Sequence, residues 1–251
     1  MTNTPVAQFI LFMLEIHAKT DVGLVRANNE DYFFIDPENR LIIVADGAGG
    51  YEYGEVASRL AVESCYQYLT REDYLQDTSD ITQTLMDSIT FANQQVIAYK
   101  KKHHSGSKMG TTLSCAYISD EVANFAWMGD SRIYLINCED NRLTQLSTDH
   151  TLYQEMLARG EVGQSYKKSI LSRMLGNNPY TRPDGDEAEI HKGELLLACS
   201  DGLSDLVSEE RMLEALVAAG DDHEKGIDAL IELAKGQGGR DNITVAIAGL
   251  T

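Results

Sequence analysis

Basic residues are scarce in this sequence: 21 Lys and Arg stand against 39 Asp and Glu, for a formal net charge of −18. That balance argues against a nucleic-acid partner, whose phosphate backbone needs clustered Lys and Arg. The same balance argues against anionic membranes, and most of the acidic excess serves solubility. Cysteine is sparse and unpatterned. Cys65, Cys115, Cys138 and Cys199 show no Cys-x-x-Cys spacing, and Cys115 and Cys199 lie inside apolar runs. They read as reduced core thiols of a cytoplasmic protein. No run is built to span a bilayer: Val6 to Ile16 is apolar but broken by Gln8 and Glu15, with neither a basic start nor a small-residue cleavage site. Also missing are a Gly-x-Ser-x-Gly elbow, a phosphate-binding P-loop and a cysteine placed as a thiolate nucleophile. No Pro/Ser-rich linker divides the 251 residues. We read one domain over 1–251, with residues 1–12 as an N-terminal extension whose first part, Met1 to Pro5, is frayed.

What is present centres on Leu41 to Gly50, Leu-Ile-Ile-Val-Ala-Asp-Gly-Ala-Gly-Gly. An apolar strand covered on both faces delivers Asp46 into a loop with almost no side chains, where backbone can approach an ion or a phosphate closely. Alone, Asp-Gly is as readily a turn dipeptide. The arrangement recurs, however: Ala123 to Asp130 and Leu195 to Asp201 also end apolar runs on Asp, and Asp241-Asn242 precedes the run Ile243 to Ala248. If that last strand runs antiparallel to those ending at Asp46 and Asp201, the carboxylates lie on one rim of the fold.

Strands are expected from Ile16 to Val25 and from Asp31 to Ile35, and a helix over Gly54 to Leu69 on its 3.6-residue periodicity. A second helix starts at the capping box Asp80–Gln83, buries Ile81, Leu85, Ile89, Ala92 and Val96, and ends in Lys100-Lys101-Lys102-His103-His104, read as a solvated cationic end that suits the helix dipole. Thr111 to Ile118, Val122 to Met128, Ile133 to Ile136 and Leu143 to Leu146 read as one antiparallel meander. A short helix from about His150 to Arg159 stops at Gly160, and about 150–170 forms a short flap-like insertion. Leu195 to Cys199 is a strand. Helices over Glu209 to Ala219, capped by Ser208 and ended by Gly220, and over about Glu224 to Lys235 precede the final strand. The fold class is α+β: a four-layer α/β/β/α sandwich of two antiparallel sheets flanked by helix pairs.

Several acidic residues on one rim without a matching Cys or His cluster make an oxygen-only site, which selects hard cations such as Mg²⁺ or Mn²⁺. Two such ions about 3.5–4 Å apart can hold a water and lower its pKa. Arg26 is as readily a surface residue, but near that rim its guanidinium would fork onto two phosphate oxygens.

The motifs Arg26…Asn29-Glu30-Asp31, Val44-Ala45-Asp46-Gly47 with Gly49-Gly50, Met109-Gly110-Thr111-Thr112, Gly129-Asp130-Ser131-Arg132, Ser200-Asp201-Gly202 and Gly239-Arg240-Asp241-Asn242 resemble, in order, those of the metal-dependent type 2C Ser/Thr protein phosphatases in their bacterial form. Each motif is weak and the ordered set is specific. The resemblance, from about Thr20 to Ala248, implies hydrolysis of phosphoserine and phosphothreonine in proteins by a metal-bridged hydroxide, opposing a Ser/Thr kinase. It further implies that Asp46 bridges two Mn²⁺ or Mg²⁺ ions, that Gly47 donates its carbonyl, that Asp201 and Asp241 hold one ion, and that Glu30 holds the other or acts through water, supported by Asp31. Asp130 would bind a third, looser ion with Asp201, although Gly-Asp-Ser is also a sound hairpin turn. Arg26 would grip the substrate phosphate. Asp149-His150 also resembles a family motif, with His150 placed at a helix start. Two departures matter: Ala48 stands where many relatives carry Met or His, and Ser165-Tyr166-Lys167-Lys168 lacks the His of some relatives' flaps. The leaving alkoxide therefore has no obvious proton donor. A catalytically silent phosphoprotein-binding module is the alternative from another class, while a metal nuclease or small-molecule phosphoesterase using similar carboxylates is disfavoured by the net charge and the ordered motifs.

Overall fold

The computed structural model describes residues 13–48, 53–71, 75, 80–119, 121–161 and 170–250. Gly49-Gly50, the segment Ser165-Tyr166-Lys167-Lys168 and the N-terminal extension 1–12 lie outside the described residues.

In chain order the elements are β1 (Leu14–Asp21), β2 (Asp31–Asp36), β3 (Leu41–Asp46), α1 (Gly54–Leu69), α2 (Ile81–His103), β4 (Leu113–Ser119), β5 (Val122–Met128), β6 (Arg132–Asn137), β7 (Arg142–Gln145), α3 (Leu152–Ala158), β8 (Asp184–Glu189), β9 (Glu194–Cys199), α4 (Asp201–Ser204), α5 (Glu209–Ala219), α6 (His223–Gly236) and β10 (Ile243–Leu250). Two five-stranded sheets result, ordered β1-β10-β9-β6-β7 and β2-β3-β4-β5-β8, with every pairing antiparallel.

Strand alternation explains the layering. In β3, Leu41, Ile43 and Ala45 pack with α1 and α2, while Ile42 and Val44 face the second sheet. In β10, Ile243, Val245 and Ile247 pack under α5 and α6, while Ala246, Ala248 and Leu250 face inward between the sheets. Each central strand is thus apolar on both faces, and each fully buried Ile or Leu contributes about 1.5–3 kcal/mol. The small residues Ala246, Ala248, Ala198 and Ala116 between the sheets let the two sheets approach.

The helix caps agree with the sequence. Asp80 accepts from Gln83 N at 2.9 Å, Ser208 accepts from Arg211 N, and Gly220 closes α5. Five expectations need correction. The first strand ends at Asp21, because Gly23 turns the chain at φ 76. The meander is broken: β4–β5 and β6–β7 are hairpins of different sheets, and the chain crosses between them at Gly129-Asp130-Ser131, with Gly129 at φ 123. Lys100 is not a solvated cap; its Nζ donates to Met109 O and Gly176 O at 3.0 Å and to Asn177 Oδ1 at 3.2 Å. The helix expected from about His150 to Arg159 is shorter, Leu152–Ala158, and is capped by Thr151. Cys138 is only half-buried, whereas Cys65, Cys115 and Cys199 are buried free thiols.

Candidate metal centre

Asp46 ends β3 and is locked by its neighbours through the backbone. Its N–H donates to Thr112 Oγ1 at 2.9 Å, and its carbonyl accepts from Thr112 N at 2.9 Å and Thr111 Oγ1 at 2.8 Å. Thr112 Oγ1 lies 2.7 Å from Ser131 Oγ, so the sheet-crossing turn carrying Asp130 is tied to the same point. Asp31 pairs with Asp46 across β2–β3. Its Oδ2 accepts from Ser200 and Thr244 hydroxyls, each at 2.7 Å. Since Ser200 and Thr244 belong to the other sheet, Asp31 fastens the two sheets together directly beneath the rim.

On the second sheet, Asp201 follows β9 and Asp241 precedes β10. A Cβ on Gly202 would stand 1.9 Å from Asn242 O, so only glycine lets these two turns meet. Asn242 pins the loop that holds Arg26: its Nδ2 donates to Val22 O at 3.0 Å and Asn28 O at 2.9 Å, and its Oδ1 accepts from Glu30 N at 2.8 Å. Arg26 Nη2 donates to Asp241 Oδ2 at 2.6 Å. Gly47 N donates to Glu30 O at 3.1 Å, and a Cβ at Gly47 would stand 2.5 Å from Gly54 O.

The result is a cavity of about 540 Å³. It is lined by Arg26, Asp46, Ala48, Thr112, Asp130, Asp201 and Asp241 together with Ile170 to Ser172, Met174, Asn177, Asn178 and Thr181. Of the residues singled out by sequence, the structure brings Arg26, Asp46, Asp130, Asp201 and Asp241 to the wall itself. Glu30, Asp31 and Gly47 are not among its lining residues. A smaller space of about 220 Å³ adjoins Asp130 and Asp201 and is also bounded by Asp149 and Asp205. Asp149 itself is engaged by Arg132, with Nη2 to Oδ2 at 2.7 Å and Nε to Oδ1 at 2.9 Å.

The electrostatics of these carboxylates are unfavourable in the metal-free chain. Burial, then the neighbouring Asp201, Asp31 and Asp130, pushes the Asp46 carboxyl well above the usual range. Burial also raises Asp201 to about 6, Asp31 to about 7 and Asp130 to about 8, with like charge adding to each. Glu30 is raised mainly by burial, and its buried Oε2 has no hydrogen-bond partner among the described residues. Among the described residues of the cavity wall Arg26 is the one base. Orphaned carboxylate oxygen, several acids against one guanidinium, and, among the described residues of the lining, no thiol or imidazole donor fit hard divalent cations.

His150, close in sequence to this region, has a structural place. It is buried; its Nδ1 accepts from Gly129 N at 3.1 Å, its Nε2 lies 3.1 Å from Asp184 Oδ2, and its ring stacks on Trp127 at 5.9 Å. It therefore props the sheet-crossing turn from behind. Sequence reasoning gave no role to Thr112, Ser131, Ser200, Thr244 or Asn242. Thr112, Ser131, Ser200 and Asn242 lie inside the quoted motifs, which is the one signal the sequence carries for them, and Thr244 lies outside every motif.

A family model described as Protein phosphatase 2C matches residues 25–232. The chain is 35% identical over 237 residues to the serine/threonine phosphatase stp of Listeria monocytogenes serotype 4b, covering 91% of this chain and 93% of that one. Its fold is similar to the crystal structure of the Mycobacterium tuberculosis serine/threonine phosphatase PstP, with a TM-score of 0.83 and 34% identity, covering 96% of this chain and 99% of that one. A structure of the PstP catalytic domain in complex with two manganese ions is similar with a TM-score of 0.80 and 34% identity, covering 96% of this chain and 100% of that one.

Proposed function

This chain belongs to the protein phosphatase 2C family, and from that premise we propose that it hydrolyses phosphoserine and phosphothreonine in proteins, opposing a Ser/Thr kinase in the cytoplasm. The observation that carries the reading is the convergence of Asp46, Asp130, Asp201 and Asp241 with Arg26 on one cavity wall, from segments spread over most of the chain.

Asp46, Asp201 and Asp241, with Glu30 and the Gly47 carbonyl, would hold two Mn²⁺ or Mg²⁺ ions, and Asp130 with Asp201 a third. When bound, such ions make solvent nucleophilic near neutral pH and neutralise charge on phosphoryl oxygens. The chain's own residues position the reaction. Arg26 turns from Asp241, its partner at 2.6 Å, to fork onto two oxygens of the phosphoryl group, fixing it for in-line attack. Asp31, anchored by Ser200 and Thr244, holds β2 and β3 in register with the second sheet so that Asp46 and Asp201 stay opposed. The apolar wall at Ile170, Leu171 and Met174 accommodates the carbon skeleton next to the phosphorylated hydroxyl.

One observation favours a second reading. Ala48 offers no proton donor, so a silent phosphoprotein-binding module with the same fold is the rival. Manganese-dependent hydrolysis of p-nitrophenyl phosphate separates the two, because a binding module turns over none. Asp46→Asn and Asp241→Asn are each expected to lower kcat by on the order of a hundredfold to a thousandfold while circular dichroism stays unchanged. Wild-type rates with manganese in either variant refute the assignment.

A further inference from the structure

Away from the cavity, β1 turns its odd-numbered residues toward α6. Lys19 pairs with Asp228 and Asp21 with Lys235, which are ordinary ion pairs. One step further from the rim the pattern changes: Glu15 and His17 face His223, the first residue of α6. His17 lies four residues from the end of β1 at the rim, about 13 Å along the strand, so this cluster is separate from the carboxylates of the cavity.

We propose that Glu15, His17 and His223 form a second cation site, for Zn²⁺ or a chemically similar transition ion, that clips β1 to the start of α6. The three ligand atoms lie within 4.8 Å of one another. Glu15 Oε2 is 3.9 Å from His17 Nε2 and 4.0 Å from His223 Nδ1. Ligand atoms about 2.0–2.2 Å from a tetrahedral zinc stand somewhat over 3 Å apart, so side-chain adjustments of under an ångström close the set. Two imidazoles and one carboxylate are a borderline donor set, distinct from the all-oxygen set at the cavity.

Two independent observations point to an ion. His223 is buried, its side chain only 5% exposed, and its Nδ1 has no hydrogen-bond partner among the described residues although it is aimed at Glu15. A buried orphan nitrogen costs about 1–3 kcal/mol unless something fills its lone pair. Second, His17 Nδ1 lies 3.4 Å from Glu224 Oε1 while Nε2 faces Glu15. A carboxylate on one ring nitrogen and a metal on the other is the arrangement that orients metal-binding histidines. Burial also lowers the His223 pKa, against the pull of Glu15, and neutral imidazole is the form that ligates. The positive end of the α6 dipole opposes a cation here, but Glu15, Glu224, Asp221 and Asp222 all bear on this corner. The Glu15 and His17 side chains are 43% and 32% exposed, which leaves an entry path and an open coordination position.

The test is zinc titration of the full chain with the cavity kept saturated by excess Mn²⁺, read by calorimetry and by metal analysis after dialysis. Wild type should retain one equivalent of zinc, and the cobalt-substituted protein should show tetrahedral visible absorption. His17→Ala and His223→Ala should each lose both signals, and Glu224→Ala should weaken zinc about tenfold or more. His17 is a half-exposed strand residue, so His17→Ala separates loss of a ligand from loss of the fold. It should also keep manganese-dependent phosphatase activity, which makes this inference independent of the proposed reaction. No zinc uptake by wild type, or uptake by the histidine variants equal to that of wild type, overturns it.

Discussion

Asp130 differs from Asp46, Asp201 and Asp241 in where the chain brings it from. It sits on the turn that crosses between sheets, and it borders both the main cavity and the smaller space beside it. Among the described residues of the cavity wall there is no His, Lys or Cys, so none of these offers such a group to protonate a departing alkoxide. If Asp130 helps hold a third ion as proposed, solvent there would be the donor. Asp130→Ala should therefore leave hydrolysis of p-nitrophenyl phosphate, whose leaving group needs no proton, nearly unchanged, and slow phosphoserine peptides by about a hundredfold. Comparing kcat across esters of graded leaving-group pKa checks this, and a flat dependence in the variant rejects the role. Asp46, Asp201 and Asp241 were legible in the sequence because an apolar strand bordered by Asp is an uncommon pattern when it repeats. The residues that hold them were not. Ser200, Thr244, Thr112 and Asn242 act only through hydrogen bonds to segments distant in sequence, and a hydroxyl or amide carries no sign of its partner until the fold supplies one.

Elements with strong local signals were readable to the residue: α1 has a clean apolar stripe, and α5 has Ser208 and Gly220 at its ends. β8 was not, because Asp184-Gly185-Asp186-Glu187-Ala188-Glu189 has almost no apolar content. It is an edge strand stabilised by pairing with β5, and its acidity protects that edge. The crossing from β5 to β6 was hidden for a related reason, since a short turn between apolar runs reads as a hairpin whichever sheet receives the next strand. Close approach at glycines is the element-scale determinant of the site. Gly202→Ala would put Cβ 1.9 Å from Asn242 O and push α4 away from the start of β10, separating Asp201 from Asp241. A loss of about 1–3 kcal/mol or more is expected, with manganese affinity falling as well. Gly236→Ala, in the last turn of α6 with nothing within 4 Å, should instead stabilise by about 0.5–1 kcal/mol. Urea midpoints of the two variants should move in opposite directions. A shared direction would mean that the contact at Gly202 is relieved at no cost. Lys100 gives a companion test: Lys100→Met removes the donor to the Met109 and Gly176 carbonyls and should cost about 1–3 kcal/mol, where a solvated cap would cost little.

For the whole molecule, the rim imposes a pH dependence that divalent ions should reverse. Asp201, Asp31 and Asp130 are raised by burial to about 6, about 7 and about 8, against about 3.9 for an unfolded Asp. A raised folded pKa means that the folded chain holds protons the unfolded chain has released. The stability this contributes is complete below about pH 4 and is lost as pH rises through about 6 to 8. Acid-side effects work in the opposite direction: Asp36 and Asp184 are lowered in the fold, the former by Asn39 and Tyr66 and the latter by Arg173 and His150. They stabilise only above the unfolded carboxylate pKa and lose that contribution at low pH. Buried His150 and His223, both lowered mainly by burial, are neutral in either state above about pH 7.5. Between about pH 7 and 8.5 the rim carboxylates therefore dominate, and the melting temperature of chelator-stripped protein should fall across that window. Bound cations replace the protons, so with saturating Mn²⁺ the fall should vanish, the stabilisation by metal should be larger at pH 8.5 than at pH 7, and metal uptake at pH 7 should release protons into a weakly buffered indicator solution. Asp130→Asn, which removes a carboxyl that burial raises to about 8, should flatten the upper part of the metal-free profile. A metal-free melting temperature that rises between pH 7 and 8.5 would show that the rim carboxylates are already ionised in the fold, and that something other than divalent ions compensates their mutual repulsion.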